Sequence, residues 1–408
     1  MKPLAGVRVV DLTSNVSGPF VTMVLAKLGA DVVKVERPPF GDDARQFPPL
    51  SDDRSLIFEW CNTGKRSVGL DLRDEAGLRA FSALVSGADV LIHSFKPGVV
   101  ERLGVSEPDV RPWAPDLLYC DVSAFGHGPA GQALKGYDPI VQAFSGIMDM
   151  TGYPDGAPAR CAPSIIDLGN GLWMVVGVLA AIMSRRGGDP VASLQSALVD
   201  SALALVPWQA SLALESGDRP TRRGASHELG APYDLFATAD RPIFLTAANQ
   251  SLWRKLLEVV GAPELEAQER FATPIDRAGR SRELAAELEA RLVSRPAAEW
   301  LEAFHAAGIP ASLVMGLDET VRSPIADERD WFEDVGDRRL VRLPLIADGA
   351  PLATPGPAPR LGQHTNEVLA EAGLAPALVD DLVTSGAALA EPDTAPLPLA
   401  PVTPEAAP

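Results

Sequence analysis

The chain has 408 residues, of which 46% are hydrophobic and 22% charged, and its formal net charge at pH 7 is -18. This length accommodates two domains, or one large domain with an insertion, and the composition is that of a soluble globular protein. The acidic balance argues against a nucleic-acid partner, which would need clustered Lys and Arg, but a few local bases (Arg37, Lys65, Arg66, Lys96, Arg102, Lys135) suffice to hold a small anion.

Strands and helices alternate through the first part of the chain. Val7-Arg-Val-Val-Asp-Leu12 reads as a short apolar strand, and Pro19 to Leu28 as a helix with Pro in its first turn and Gly29 as its stop. Asp31-Val-Val-Lys-Val-Glu36 is a second strand. Glu75 to Ser86 carries Leu78, Phe81, Leu84 and Val85 at helical spacing, and Asp89 to His93 and Leu117 to Val122 add two strands. Strands separated by helices indicate a parallel sheet covered by helices. The opening mimics a dinucleotide site, with Glu36 where an acid would grip a ribose. Its turn, Thr13-Ser-Asn-Val-Ser-Gly-Pro19, has one Gly where pyrophosphate approach needs G-x-G-x-x-G, and Pro19 lacks an N–H, so a nicotinamide cofactor is set aside.

Ile165 to Met183 is long enough to span a membrane. Asp167, Asn170 and several Gly residues interrupt it, so a buried helix and no membrane contact are expected. Asp167 is a lone carboxylate at the mouth of this apolar run. Either it caps the helix, or its costly position is used chemically.

From Arg222 the texture changes. Tyr233 to Thr238 and Ile243 to Thr246 read as paired strands across the turn Ala239-Asp-Arg-Pro242. Helices follow at Ser281 to Ser294, with Leu284, Leu288 and Leu292 on one stripe, and at Pro296 to Ala307. The expected organisation is a large domain over 1–205, a linker over 206–224, a small α+β domain over 225–318, and a return to the large domain over 319–374. The Ala/Pro-rich acidic stretch 375–408 has no Lys or Arg and is expected to be disordered. Cys61, Cys120 and Cys161 form no C-x-x-C spacing, which suits a reducing cytoplasm, and the five His residues show no H-E-x-x-H, so no metal centre is expected.

A set of segments, taken in order, resembles the family III CoA-transferases (the formyl-CoA-transferase and carnitine-dehydratase-like family). These are Leu4-x-Gly-Val-Arg-Val-Val-Asp-Leu-Thr13, Ser17-Gly-Pro19, Leu28-Gly-Ala-Asp-Val-Val-Lys-Val-Glu-Arg-Pro38 and Asn62-x-Gly-Lys-Arg-Ser-Val-x-Leu-Asp-Leu72. Phe95-Lys-Pro-Gly98, Arg102-Leu-Gly104, Gly136-Tyr-Asp138, Thr151-Gly152 and Pro359-x-Leu-Gly-x-His-Thr365 continue the pattern, so that it covers about residues 4 to 374.

The resemblance implies an α/β fold: a Rossmann-like large domain built from both chain ends, with a smaller α+β domain inserted, in an interlocked homodimer. It implies no permanently bound cofactor. Coenzyme A enters as a thioester substrate, and the partners are an acyl-CoA and a carboxylic acid. The family's nucleophile falls on Asp167, which would form acyl-aspartyl anhydride and aspartyl-CoA thioester intermediates. Coenzyme A contacts carry over to Asn15, Arg37, Leu70, Phe95, Arg102 and Lys135. Ser94 stands where the family has Asn, and Tyr137 lies where transferases carry Tyr near the nucleophile. Val16 replaces a Gln of the oxalate-using branch, which points to an acid larger or more apolar than oxalate. Gly169 and Gly171 either supply N–H donors to an oxyanion or serve helix packing.

Two further readings stay open. The racemase branch of the fold uses a His where Tyr137 stands, and His127 could substitute for it or be a solvated loop residue; an intramolecular acyl-CoA isomerase would use the same Asp167. A non-catalytic CoA-binding homologue is the remaining reading, because the family's glycine-rich loop has no counterpart here and Arg186-Gly-Gly-Asp-Pro190 replaces its Thr-Gly-x-Gly-Gln.

Overall fold

In the computed structural model, which describes residues 1–227 and 230–391, the Val-rich runs of the opening segment become the middle of a seven-stranded sheet. In chain order its first elements are β1 (Arg8–Leu12), α1 (Ser17–Lys27), β2 (Asp31–Glu36), β3 (Arg66–Leu70), α2 (Glu75–Ser86), β4 (Val90–His93), α3 (Val99–Leu103) and β5 (Leu118–Ser123). Next come α4 (Asp138–Phe144), α5 (Ile165–Arg186), β6 (Ser193–Ala197) and α6 (Leu198–Ala204). The inserted region holds β7 (Tyr233–Phe236), β8 (Ile243–Thr246), α7 (Gln250–Val260), α8 (Ser281–Leu292), α9 (Ala297–Ala306) and β9 (Ala311–Leu313). The chain then returns through α10 (Thr365–Glu371), α11 (Pro376–Ser385) and β10 (Ala388–Leu389).

The described residues divide into two compact units: Met1–Ser145, Ala162–Pro207 and those from Arg329 onward form the larger, and Gly146–Cys161 with those between Trp208 and Glu328 the smaller. The large unit's sheet has the order β10-β3-β2-β1-β4-β5-β6. All its pairings are parallel except that of β10 with β3. Alternate side chains feed two cores. Val9, Val32, Val90 and Leu118 pack against α1 and α5, whereas Val10, Val33, Val68 and Leu91 pack against α2, α10 and α11. A sheet apolar on both faces must carry helices on both, which is why its strands read as nearly continuous hydrophobic runs. Local signals set the helix ends: Asp74 accepts N–H bonds from Ala76 and Gly77 at the start of α2 (2.8 and 3.1 Å).

The expectation of disorder over 375–408 needs correction. Pro376 opens α11, Val379 and Leu382 are buried, and β10 closes the sheet edge through Ala388 opposite Leu70 and Leu389 opposite Gly69. The Ala/Pro-rich composition masks a short apolar helical period, and Gly386 in the left-handed region (φ 82°) provides its stop. The remainder of that tail, 392–408, lies outside the described residues.

The small unit pairs β7, β8 and β9 in an antiparallel sheet and packs Trp253, Leu256, Phe271, Leu288, Trp300 and Phe304 into its own core. Its limits differ from the expected 225–318, and the supposed linker over 206–224 belongs largely to it. That stretch contains a helix over Pro207–Ser216, and Arg219 and Arg222 then pair with Asp149 at 2.9 and 3.2 Å, tying it to the 146–161 segment.

Candidate active site

Chain direction across the large sheet reverses between β1 and β4. From β1 the path runs outward through β2 and β3, and from β4 outward the other way through β5 and β6. Loops leaving the two central strands therefore diverge and open a crevice at their carboxyl ends, the usual ligand position in open α/β sheets. Asn15 and Val16 follow β1, Arg37 follows β2, and Ser94 and Phe95 follow β4. The Ser14 N–H donates to Ser94 Oγ at 3.0 Å, so the Asn substitute at position 94 braces the opposite loop. Phe95 is half-buried and stacks on His93 at 5.9 Å.

Leu70 does not present a side chain to this edge. It is 1% exposed and packs in the core below β3, so a coenzyme A contact at this residue would fall to its backbone. Among the bases, Lys65 and Arg66 are likewise committed elsewhere. Lys65 is buried against Asp11 (2.9 Å), and Arg66 pairs with Asp31, Glu367 and Glu371. Arg37, Lys96, Arg102 and Lys135 are exposed and make no ion pair among the described residues; Arg102 donates only to the Gly98 carbonyl, at 2.9 Å. Tyr137, 61% exposed, precedes α4.

Asp167 is not a helix cap. It lies inside the first turn of α5, and the carboxylate that satisfies that turn belongs to Asp138, whose Oδ2 accepts from Ile166 N (2.8 Å) and Asp167 N (3.1 Å). The Leu168–Gly171 amides do not solvate Asp167; its own carboxylate accepts no hydrogen bond among the described residues. Burial, and then the neighbouring Asp138 charge, push its pKa up to about 7. Its backbone is pinned as well. Ser17 Oγ donates to the Asp167 carbonyl (2.9 Å) and accepts from Asn170 Nδ2 (3.2 Å), while Ser201 Oγ donates to Asn170 Oδ1 (2.9 Å). Gly171 serves packing: a Cβ there would lie 2.5 Å from the Phe20 ring and 3.2 Å from the Ser17 carbonyl. Gly169 has ordinary room, its nearest neighbour being Leu205 at 3.6 Å.

The profile of CoA-transferase family III matches residues 4–365. The chain belongs to CoA-transferase family III. It is a CoA-transfer enzyme, similar to the acetyl-CoA:oxalate CoA-transferase of Acetobacter aceti, with 37% identity over 89% of this chain and 94% of that one. It is also similar to the succinate–glutarate CoA-transferase of Agrobacterium fabrum, with 32% identity over 90% of this chain and 95% of that one. The crystal structure of a CAIB/BAIF family protein from Brucella suis matches with a TM-score of 0.81 and 33% identity, covering 91% of this chain and 99% of that one.

Two polar groupings in this family III enzyme escape sequence reasoning. One is His127 Nε2, 2.6 Å from Asp121 Oδ2, with His93 Nε2 3.7 Å from the same oxygen. Burial raises the Asp121 carboxyl to about 6 against the opposing charge of His127, and burial lowers His93 to about 4. His127 is thus held against Asp121 at the end of β5. The other grouping lies beneath the loop after β1. Lys65 Nζ donates to Asp11 Oδ2 (2.9 Å), the Pro19 carbonyl (3.0 Å) and Asn62 Oδ1 (2.8 Å). Burial outweighs the attraction of Asp11 and brings Lys65 down to about 8. Burial alone would raise Asp11, but Lys65, Lys34, Thr13 and Thr22 together hold it at about 2.

Proposed function

We propose that this enzyme moves coenzyme A from an acyl-CoA to a dicarboxylic acid, with Asp167 as the covalent carrier. The observation carrying the proposal is a half-buried carboxylate without a hydrogen-bond donor among the described residues, set on a helix whose start other residues hold in place. A carboxylate that attracts protons more strongly is also a better nucleophile, and a poorly hydrated one is shielded from competing hydrolysis.

In the first step an Asp167 oxygen attacks the thioester carbonyl, forming an acyl-aspartyl anhydride and expelling the CoA thiolate. The thiolate then attacks the aspartyl carbonyl, giving an aspartyl-CoA thioester and releasing the donor's carboxylate. An acceptor carboxylate attacks that thioester, producing a second anhydride and freeing the thiolate once more. Attack of the thiolate on the acceptor's carbonyl yields the new acyl-CoA and restores Asp167. No water enters, so the thioester's free energy is conserved. Arg37, Lys96, Arg102 and Lys135 supply exposed charge for the phosphates, Phe95 an apolar face, and Asn15 an acceptor. Tyr137 stands beside the capping Asp138 and is assigned to the acyl end.

Relatives named for oxalate, succinate and glutarate support a dicarboxylic acid as acceptor. Val16 points to an acid larger than oxalate, yet the relative named for oxalate is 37% identical, so oxalate stays within the class. A second copy of the chain is the proposed partner. Leu172, Trp173, Val176 and Met183 on α5 and Ile140 and Phe144 on α4 are more than half exposed, an apolar face that a homodimer would cover. Free cysteines suit action in a reducing cytoplasm. His127 faces Asp121, which does not favour the racemase reading; the isomerase reading shares Asp167 and is separated from intermolecular transfer by the need for an acceptor acid.

The test is a transfer screen pairing succinyl-CoA and acetyl-CoA with mono- and dicarboxylic acids, run on wild type and Asp167→Ala. Transfer to dicarboxylic acids, cut by roughly a thousandfold or more in the variant, is expected. Full activity in Asp167→Ala contradicts the proposal, and α-deuterium uptake without an acceptor acid would favour the racemase instead.

A further inference from the structure

The loop joining β1 to α1 is short, and the Thr13 carbonyl and the Ser14 and Asn15 amides at its start are each held by a side chain from elsewhere. Lys34 and Asp42 supply the central part of this grip. Lys34 sits on β2 and is 0% exposed. Its Nζ donates to the Thr13 carbonyl at 2.8 Å and lies 2.9 Å from Asp42 Oδ2. The other oxygen of Asp42 accepts from Asn15 N at 3.0 Å and from Ala44 N at 2.9 Å. The Asp42 N–H in turn donates to Glu36 Oε2 at 3.1 Å. One buried ion pair therefore holds Thr13 by its carbonyl and Asn15 by its amide. Between them, Ser14 is held through Ser94 Oγ.

The grip fixes Asn15. Its backbone is left-handed (φ 67°), a conformation uncommon among non-glycine residues that Asn tolerates better than most and that the bond to Asp42 holds here. Its Oδ1 is buried and has no hydrogen-bond partner, so an acceptor stands ready at the crevice with nothing from the described residues donating to it. Two residues further on, Ser17 carries the bond to the Asp167 carbonyl.

We infer that Asp42, locked in place by Lys34, is a positioning residue for coenzyme A: it sets the left-handed turn at Asn15 that aims the Asn15 amide oxygen at a donor of the bound thioester. The inference rests on the reading of this crevice as the coenzyme A site. It goes beyond that reading by assigning affinity to two residues that touch no substrate. Stability alone gives no reason for the arrangement, because a buried ion pair is seldom more stabilising than apolar side chains of similar volume.

The test measures free coenzyme A binding by calorimetry, together with KM and kcat for the acyl-CoA, below the melting temperature of each variant. Asp42→Ala removes the acceptor for Asn15 N–H and is expected to weaken binding about tenfold or more, raising KM with kcat changed less than about threefold. Asp42→Asn keeps an oxygen at that place and is expected to restore affinity to within about threefold of wild type. Lys27→Met breaks a different buried pair of the large unit, Lys27 with Glu333 at 3.0 Å, and is expected to lower stability while leaving affinity unchanged. If Asp42→Ala does not fold, Lys34→Met, which frees the Thr13 carbonyl, is expected to weaken binding to the same degree. Wild-type affinity in a folded Asp42→Ala or Lys34→Met would overturn the inference, as would an equal loss in Lys27→Met. Failure of wild type to bind coenzyme A would sink the functional reading and this inference together. Binding data decide the inference even if Asp167→Ala proves active.

Discussion

Trp253, Leu256, Phe271, Leu288, Trp300 and Phe304 fill the centre of the small unit, where Arg277 is the single buried charge among the described residues. Its guanidinium donates only to neutral oxygens, the carbonyls of Ala231, Ala248 and Phe271 and the Gln250 amide. Beneath the carboxyl edge of the large sheet, by contrast, Asp11, Lys34, Asp42 and Lys65 are all buried and paired. The small unit's core follows the ordinary logic of apolar burial, with one cation satisfied by carbonyls. The large unit accepts the desolvation of two ion pairs at the edge where the loop after β1 must hold its shape, besides the separate buried pair Lys27–Glu333. The difference shows where the fold spends stability on geometry.

The comparison breaks first if truncations in the two kinds of core depend alike on pH. Phe304→Ala is expected to cost about 3–5 kcal/mol at any pH where the protein is folded. Lys65→Met, which leaves the Asp11 carboxylate buried without its partner, is expected to cost a similar amount of about 3–5 kcal/mol at pH 7. The pH dependence separates them. Without Lys65 the Asp11 pKa rises, so acidification towards pH 4 neutralises the stranded charge and part of the loss is recovered. Chemical denaturation of both variants across that range reads the difference, and equal pH profiles would contradict it.

Asp167 sharpens the comparison, since it is a half-buried carboxylate with no paired cation among the described residues. Its folded pKa of about 7 lies above the ordinary aspartate value of 3.8, so the folded state holds its proton more tightly than the unfolded. The sign follows: the penalty is absent below about pH 4, grows between pH 4 and 7, and is complete above 7. Asp167→Asn is therefore expected to match wild type in stability at low pH and to exceed it by about 2 kcal/mol at pH 8. The acidic limb of wild-type kcat/KM should fall near pH 7, where the nucleophile ionises, and a limb near pH 4 would contradict that assignment. The smallest effect concerns Ser17. Ser17→Ala removes one bond to the Asp167 carbonyl and leaves Asn170 Nδ2 without its acceptor, and is expected to cost about 1 kcal/mol of stability and to slow kcat about fivefold.

Much of the large sheet was legible in the sequence. Asp31–Glu36 and Glu75–Ser86 occupy the expected residues, because continuous β-branched runs and a four-residue helical stripe are strong local signals. Asp167 stood out for a similar reason: a charge at the mouth of an apolar run has few neutral explanations. Contacts between distant residues left no such trace. In the strand Asp31-Val-Val-Lys-Val-Glu36, Lys34 alternates with valines as a solvent-facing residue would. Only the approach of Asp42 and the Thr13 carbonyl makes its burial tolerable. Lys65 and Arg66 looked like phosphate ligands because sequence reports charge without its partners, which lie from 35 to 305 residues away for Arg66. The cap of α5 is out of reach of sequence reasoning on the same ground, since Asp138 reaches the first turn from 28 residues upstream and displaces the capping alternative for Asp167. The edge strand β10 was hidden by composition, because two paired residues are too few to form a pattern.

The most direct test of the account is to trap the intermediate on Asp167. Purified enzyme would be incubated with an acyl-CoA that it uses, quenched with hydroxylamine, digested, and its peptides weighed by mass spectrometry. A hydroxamate on the peptide containing Asp167, dependent on acyl-CoA and absent from Asp167→Ala, is the predicted result. An enzyme that turns over while that peptide stays unmodified, or that carries the adduct on another residue, would contradict the assignment of Asp167 as the covalent carrier.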